Sequence, residues 1–317
     1  MAETVEKMQL TRRVIILILN WNGLKYTIEC IESLKKINYP DFHIIVIDNG
    51  SVGRDAQALK EKYAEYVQVI ENDRNYGFAG GINCGIKYAL ERCESDYLLL
   101  LNNDTTVSPD FLTILVDVIE VDHNIAIAGP RVLYYDHPDV IQNTGNKVNL
   151  ILGTTRQIDT GKKEAAGENR IRQVDYVDTC LLIRTAIITQ LGFFDESYFL
   201  YWEDADLGLR VHKAGYRVVC VPSSKIWHKK PANFGPWYQL LLHARKQPVS
   251  ENSIYYFVRN RFKIINTYAT KAQRAVFLTE YFLGYLWISL IYYAVRYGRP
   301  SLLRAYWRGV RDGVHGI

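Results

Sequence analysis

Apolar positions in this chain come in short unbroken runs, separated by segments of helical spacing. Val14 to Leu19 is continuous, largely β-branched and apolar, as expected of a parallel strand covered on both faces. It ends in the polar turn Asn20-Trp21-Asn22-Gly23. Ile28, Ile31, Leu34 and Ile37 then recur every three residues, which predicts a helix over Lys25 to Ile37. His43 to Asp48 repeats the strand and closes on Asn49-Gly50-Ser51. A polar helix from Arg54 to Tyr66 and a short strand from Val67 to Ile70 follow. They lead to the glycine-rich loop Asn75 to Gly81 and a helix through Leu90. Tyr97 to Leu101 is the next buried strand, and it stops abruptly at Asn102-Asn103-Asp104. Ser108 is suited to cap a helix and Pro109 to open it, with Phe111 to Val121 as its body. Ile125 to Gly129 and Val174 to Ile183 read as further strands, the second leading into a helix that ends at Gly192. Asn146 to Glu168 is polar and weakly patterned, which predicts a hairpin or a mobile loop closing over a ligand. This alternation of strands and helices predicts a right-handed, doubly wound α/β domain with a mostly parallel sheet. Such sheets bind ligands at the carboxyl ends of their strands.

In the second half, aromatic residues from Phe193 to Trp202 precede Glu203-Asp204-Ala205-Asp206, which opens a helix through Ala214 closed by Gly215. Arg217 to Val221 is a strand, followed by Ile226-Trp227-His228-Lys229-Lys230. From about Pro236 the composition turns to Tyr, Leu and Arg, and Tyr255 to Phe262 begins an aromatic and basic helix. Phe277 to Val295 is apolar apart from Glu280. At about 1.5 Å per residue it would only just cross a bilayer core of roughly 30 Å. Arg296, Arg299, Arg304, Arg308 and Arg311 follow, interleaved with Tyr297, Tyr306 and Trp307, a mixture suited to a membrane interface. Three arrangements stay open: attachment to a membrane surface, a helical cap on the catalytic unit or on a second copy, and a true span. Residues 1–235 are expected to form the catalytic domain and 236–317 a helical, membrane-associating region.

With 317 residues, 48 % of them hydrophobic, the chain can bury the core of one large domain with an appendage. A net charge of +4 is too small to direct it to nucleic acid. Five cysteines, odd in number and without C-x-x-C spacing, favour a reducing compartment over a zinc site or a disulfide framework. Arg12-Arg13 ahead of the first apolar run resembles a signal peptide only superficially, because that run is too short and no small-residue cleavage site follows.

Two polar constellations carry candidate chemistry. Asp104, with Asn102 and Asn103 beside it, offers oxygen ligands for a hard cation, although Asn and Asp also simply favour turns. Glu203, Asp204 and Asp206 stand in the first turn of a helix, where the backbone dipole favours anions. That position predicts an ionised Asp204 near neutral pH, as a general base requires; capping of the helix is the alternative. His228 is placed to complete an Asp/His metal site or to serve as an ordinary hydrogen-bonded histidine. The glycine-rich loop matches neither G-x-G-x-x-G nor the Walker pattern, so its glycines serve either ligand amides or close packing.

Six pieces in order resemble the inverting family-2 glycosyltransferases, in their rhamnosyltransferase-like branch. They are Asn20 to Gly23, Asp48 to Ser51, Asn75 to Asn83, Asn102 to Asp104, Trp202 to Asp206 and Trp227-His228. The resemblance implies a GT-A fold: a Rossmann-like, mostly parallel sheet flanked by helices, here with a C-terminal helical extension. It further implies that Asn20 and Asn22 line a nucleotide pocket, that Asp48 contacts the base, and that Asn75, Asn83 and Asn103 meet the nucleotide-sugar. Asn102-Asn103-Asp104 stands where the family has Asp-x-Asp, so Asp104 is the one charged ligand there, with His228 and Asn102 completing a site for Mn2+ or Mg2+. Asp204 falls on the catalytic base and Glu203 beside it positions the acceptor. The implied activity is transfer of a sugar from a nucleoside-diphosphate donor, L-rhamnose from dTDP-rhamnose first among the candidates. UDP- or GDP-hexose and UDP-galactofuranose are alternatives, as is a non-catalytic sugar- or lipid-binding subunit. The implied acceptor is a hydroxyl of a glycan or polyprenyl-linked glycan, met by a cytoplasmic enzyme peripheral on the inner face of the cell membrane.

Overall fold

A computed structural model describes residues 12–164, 167–230 and 250–316. The expected boundary near Pro236 lies outside the described residues. In chain order the α/β part runs β1 (Val14–Asn20), α1 (Leu24–Leu34), β2 (Phe42–Asp48), α2 (Asp55–Tyr63), β3 (Val67–Glu71) and α3 (Gly77–Arg92). It continues with β4 (Tyr97–Asn102), β5 (Thr105–Val107), α4 (Phe111–Val121), β6 (Ile125–Tyr134), β7 (His137–Asn143), β8 (Asn146–Asn149) and β9 (Thr154–Gln157). It closes with β10 (Arg172–Val174), β11 (Cys180–Arg184), α5 (Thr185–Leu191), α6 (Glu203–Lys213) and β12 (Arg217–His228).

The main sheet has the order β10-β12-β6-β11-β4-β1-β2-β3, with β5 on β12 and β7 on β6. From β3 to β4 every pairing is parallel, as the unbroken apolar runs predict. Beyond β4 the sheet turns mixed, because β11 runs against both β4 and β6. Alternate strand residues feed two cores. Ile16, Ile18, Leu99 and Leu101 pack under α1, α2 and α4. Ile15, Leu17, Leu98 and Leu100 pack under α3, α5 and α6.

Several boundaries differ from the sequence pattern. Helix α4 begins at Phe111, with Asp110 rather than Ser108 at its N-cap. Ser108 is still held in the sheet, its N–H donating to Lys225 O at 3.1 Å, so the helix cannot start there. Helix α3 takes in most of the glycine-rich loop. Val174 to Ile183 is two strands, not one: β10 pairs with β12, while β11 inserts between β6 and β4. The break falls at Asp178-Thr179, where Thr179 has a φ of 66°. Asn146 to Glu168 contains the hairpin β8–β9.

The C-terminal helices are α7 (Glu251–Tyr268), α8 (Lys271–Tyr297) and α9 (Pro300–His315). They share a core of Phe262, Phe277, Tyr281, Leu302 and Tyr306. Ile264 of α7 joins this layer to the α/β part by packing with Tyr198, Trp202 and Ala205. Helix α8 is 27 residues long, and 17 % of its most apolar window is buried. By length and composition alone it could cross a membrane.

Candidate active site

The register of β5 on β12 builds the first half of the site. Thr105 sits opposite His228, so Asp104, one residue earlier, lies against the imidazole. His228 Nε2 is 3.2 Å from both carboxylate oxygens, and His228 Nδ1 is 2.9 Å from Gln142 Oε1. With Nδ1–H donated to Gln142, the Nε2 of a metal-ligating His228 would face the same point as the Asp104 carboxylate. A cation would fit between them, and the outer hydrogen bond to Gln142 is the kind that orients a metal-ligating histidine. Burial alone would raise the Asp104 carboxyl, but the facing His228 outweighs it and holds Asp104 below the usual carboxylate range. Among the described residues no group of three or more His, Cys, Asp and Glu is placed to hold a metal. Asp104 and His228 would therefore hold only part of the coordination sphere of a divalent ion, leaving the rest to a phosphate-bearing ligand and water. Asn103 turns its amide to Thr27 Oγ1 at 2.9 Å, and Asn102 donates its backbone N–H to Thr179 O at 2.9 Å.

The second half is a cavity of about 750 Å³ lined by Glu203, Asp204, Asp178, Asn146, Tyr176 and residues of the C-terminal helices. Glu203 and Asp204 open α6, whose N-cap residue Trp202 has no side-chain cap bond. Burial, then Glu203, then Asp178 push the Asp204 carboxyl well above its ordinary range. Burial and Asp178 likewise push Glu203 up, to about 7. This corrects the expectation that the helix dipole keeps Asp204 ionised: desolvation beside two like charges outweighs a dipole term of about 0.3–1 kcal/mol. Glu203 Oε2 and both polar atoms of the Asn146 side chain are buried without a hydrogen-bond partner. Orphaned polar atoms in a cavity wall call for a partner from outside the chain, such as water or a polar ligand. Asp206 is not part of this cluster, since it accepts from Arg210 Nε at 2.9 Å and from the Tyr268 hydroxyl at 2.7 Å.

Asp104 and His228 do not line the cavity themselves. Its wall includes Lys230, two residues past His228, and Thr160, whose hydroxyl donates to Gln142 O at 2.8 Å. Asp178 and Asn146 escape sequence reasoning, because Asp178 sits in what reads as a continuous strand and Asn146 in an unpatterned stretch. The signal that finds Asp178 is the break between β10 and β11, visible only in the register.

The residues expected to meet the nucleotide divide by exposure. Asn20 is fully buried; its amide nitrogen lies 2.9 Å from Asp48 Oδ2 and 3.1 Å from Asp55 Oδ2, and its oxygen accepts from Thr27 at 2.7 Å. Asp48 is buried too and accepts from Ser51 N at 2.9 Å. Asn83 is tied to the chain at Phe194, donating to its carbonyl at 2.8 Å and accepting from its N–H at 3.1 Å. Asn22 is exposed at the turn with a φ of 51°. Asn75 Oδ1 accepts from Gly77 N at 2.7 Å. A Cβ on Gly77 would collide with Phe199 O, and one on Gly81 would lie 2.9 Å from Asn49 Cγ. These two glycines are there for close packing.

The sequence profile of glycosyl transferase family 2 matches residues 14–192. An N-acetylglucosaminyl-diphospho-decaprenol L-rhamnosyltransferase of Mycobacterium tuberculosis is 28 % identical over 238 residues, 69 % of this chain and 75 % of that protein. A low-salt glycan biosynthesis hexosyltransferase of Haloferax volcanii is 25 % identical over 215 residues, 67 % of each. The structure of a mannosyltransferase from Pyrobaculum calidifontis, solved with GDP-Man and Mn2+, superposes with a TM-score of 0.57 at 11 % identity, covering 96 % of this chain and 88 % of that one. The α/β sheet with its helical extension is thus the GT-A fold, and the chain, matched over more than half its length, is a glycosyltransferase belonging to family 2.

Proposed function

We propose that this glycosyltransferase moves a hexose, L-rhamnose first among the candidates, from a nucleoside-diphosphate donor to a glycan hydroxyl with inversion at the anomeric carbon. The observation that carries the reading is the pair of carboxylates, Glu203 buried and Asp204 partly buried, lining one cavity beside the sheet edge that holds Asp104 and His228. Asp204 takes the proton of the attacking hydroxyl. A base whose pKa is raised toward the operating pH is stronger than an ordinary carboxylate, and such assistance is worth about 10²–10⁴-fold in rate. Glu203 and Asn146 present unpaired polar atoms for the acceptor's other hydroxyls. Asp104 and His228, with Asn102 alongside, would hold Mn2+ or Mg2+. Bound there, the ion supplies Lewis acidity at the departing diphosphate. Asn22, Asn75 and Asn103 meet the donor directly, while Asn20, Asp48 and Asn83 act behind them as a hydrogen-bonded frame.

The acceptor fits a lipid-linked glycan. Helix α8 exposes Leu283, Trp287, Ile288, Ile291 and Val295, a face suited to lie in a membrane interface, and Tyr293 of the same helix lines the cavity. Such an acceptor places the enzyme peripherally on the cytoplasmic side of the cell membrane. A second copy on this face would instead give an oligomer.

Two variants test the assignment, with donor binding read by thermal shift against a nucleotide-sugar panel with and without Mn2+. Asp204→Asn should keep donor binding and lose transfer by about 10²-fold or more. Asp104→Ala should weaken the Mn2+-dependent shift as well. Transfer at the parent rate by Asp204→Asn would remove the base from this scheme.

A further inference from the structure

The segment leading into Glu203 is strained. Phe199 sits at φ 60° and ψ −56°, and Leu200 N donates to Tyr198 O at 2.6 Å, closing a γ-turn of the rare positive-φ kind. Tyr201 and Trp202 follow at φ 68° and 73°. Three positive-φ residues within four positions persist where the surroundings over-determine the backbone, and such strain clusters at functional sites.

What over-determines this loop is one side chain of the C-terminal region. Asn260 of α7 is fully buried, and its amide nitrogen lies 2.8 Å from the carbonyl oxygens of Tyr198, Leu200 and Tyr201 alike. Its two hydrogens thus serve three acceptors, one of them shared. Its own oxygen accepts from Arg259 Nη2 at 2.7 Å, and the same guanidinium donates to Ser197 O. Phe199 stacks on Tyr256 with ring centroids 4.6 Å apart, and Trp202 Nε1 donates to Phe257 O at 3.2 Å. From the opposite side Phe78 N, at the start of α3, donates to Phe199 O at 2.6 Å.

We propose that Asn260 is a positioning residue for sugar transfer: it holds the Tyr198–Trp202 backbone in its left-handed turns and so sets the direction from which Asp204 meets the acceptor. Asn260 does not line the cavity. Helix α7 then belongs to the catalytic apparatus although it lies beyond the matched profile, which ends at residue 192. The proposal rests on the reading of Asp204 as the base.

The test compares full-length Asn260→Ala and Asn260→Asp with the parent. Transfer kinetics, binding of UDP and dTDP with Mn2+, and hydrogen exchange by mass spectrometry are measured. A misplaced catalytic group can lose about 10² in rate, so kcat should fall by that order in both variants. Nucleotide affinity should stay within about twofold, and the loss of exchange protection should be confined to residues 198–206. Phe199→Gly, which takes the γ-turn without steric conflict, should restore part of the lost kcat in the Asn260→Ala background. An unchanged kcat in Asn260→Ala would overturn the proposal. So would deprotection spread through the central strands, or a double variant no faster than Asn260→Ala. If the parent chain itself neither binds these nucleotides nor transfers sugar, it is the functional reading that fails.

Discussion

Glu203 is held at a disadvantage that substitution should remove. It is 5 % exposed, and its carboxyl is pushed from 4.5 to about 7, chiefly by burial and next by Asp178. An acid whose folded pKa is raised keeps its proton longer in the folded chain than in the unfolded one. Its contribution to stability is therefore fully present below pH 4.5 and is lost as pH rises through about 7. At about 1.36 kcal/mol per pH unit, the loss above pH 8 amounts to as much as about 3 kcal/mol. Glutamine has nearly the same shape and no charge to desolvate. Glu203→Gln should therefore match the parent near pH 4.5 and exceed it increasingly up to pH 8.5. At about 2–4 °C per kcal/mol for chains somewhat smaller than this one, the gain in Tm at pH 8.5 is roughly 5 °C. The same change should impair transfer, the exchange expected where a site is strained for function. Circular-dichroism melts from pH 4.5 to 8.5 measure it. A Tm difference constant across pH would mean the effect is packing, not charge, and a variant less stable than the parent at pH 8.5 would refute the reasoning outright.

Asp178 raises Asp204 by charge, and the base must be deprotonated to act. Removing that charge in Asp178→Asn should move the acid limb of the kcat profile to lower pH, so that the variant keeps more of its plateau rate at pH 6 than the parent; an unmoved limb would contradict the coupling. On α8, Leu283 and Val295 are 79 % and 83 % exposed. Leu283→Lys and Val295→Lys should each lower partition onto zwitterionic phospholipid vesicles about tenfold or more, since burying such a side chain is worth about 1.5–3 kcal/mol. Unchanged co-sedimentation, with light scattering reporting a dimer, would assign this face to a second copy.

The parallel half of the sheet is legible in the sequence because strands buried on both faces must be apolar throughout, and β1, β2 and β4 are. The mixed half is not. An antiparallel β11 inserted between β4 and β6 carries the same apolar run as a parallel strand, and only long-range pairing reveals its direction. Asp104 and His228 are legible as residue types, whereas their meeting depends on the short ladder between β5 and β12. Asn20, Asp48 and Asn83 stand in recognisable motifs, but a motif does not say whether a polar side chain faces a ligand or braces a loop. All three are buried, with their side chains hydrogen-bonded within the chain. The ionisation of Asp204 is misread for a related reason: the helix dipole is a local feature, while Asp178, 26 positions earlier in the chain, is a neighbour only in the fold.

The C-terminal helices pose a sharper question than whether they touch a membrane. Ser253, Ile254 and Phe257 of α7 and Tyr293 of α8 form part of the cavity wall that Glu203 and Asp204 face. Ile264 packs on Trp202 and Ala205, and Arg261, buried against Tyr285 with its guanidinium carbon 3.8 Å from the ring centroid, donates to Leu152 O at the tip of the β8–β9 hairpin. If the tail were a membrane anchor alone, a chain ending near Pro236 would transfer sugar normally to a water-soluble acceptor. Because the tail instead pins both the hairpin and the strained loop, that shortened chain should lose transfer to soluble acceptor by more than the 10²-fold expected of a displaced base. Adding detergent or vesicles should not restore it. Parent-level transfer by the shortened chain would reduce the tail to an anchor and detach the cavity from the helices that line it.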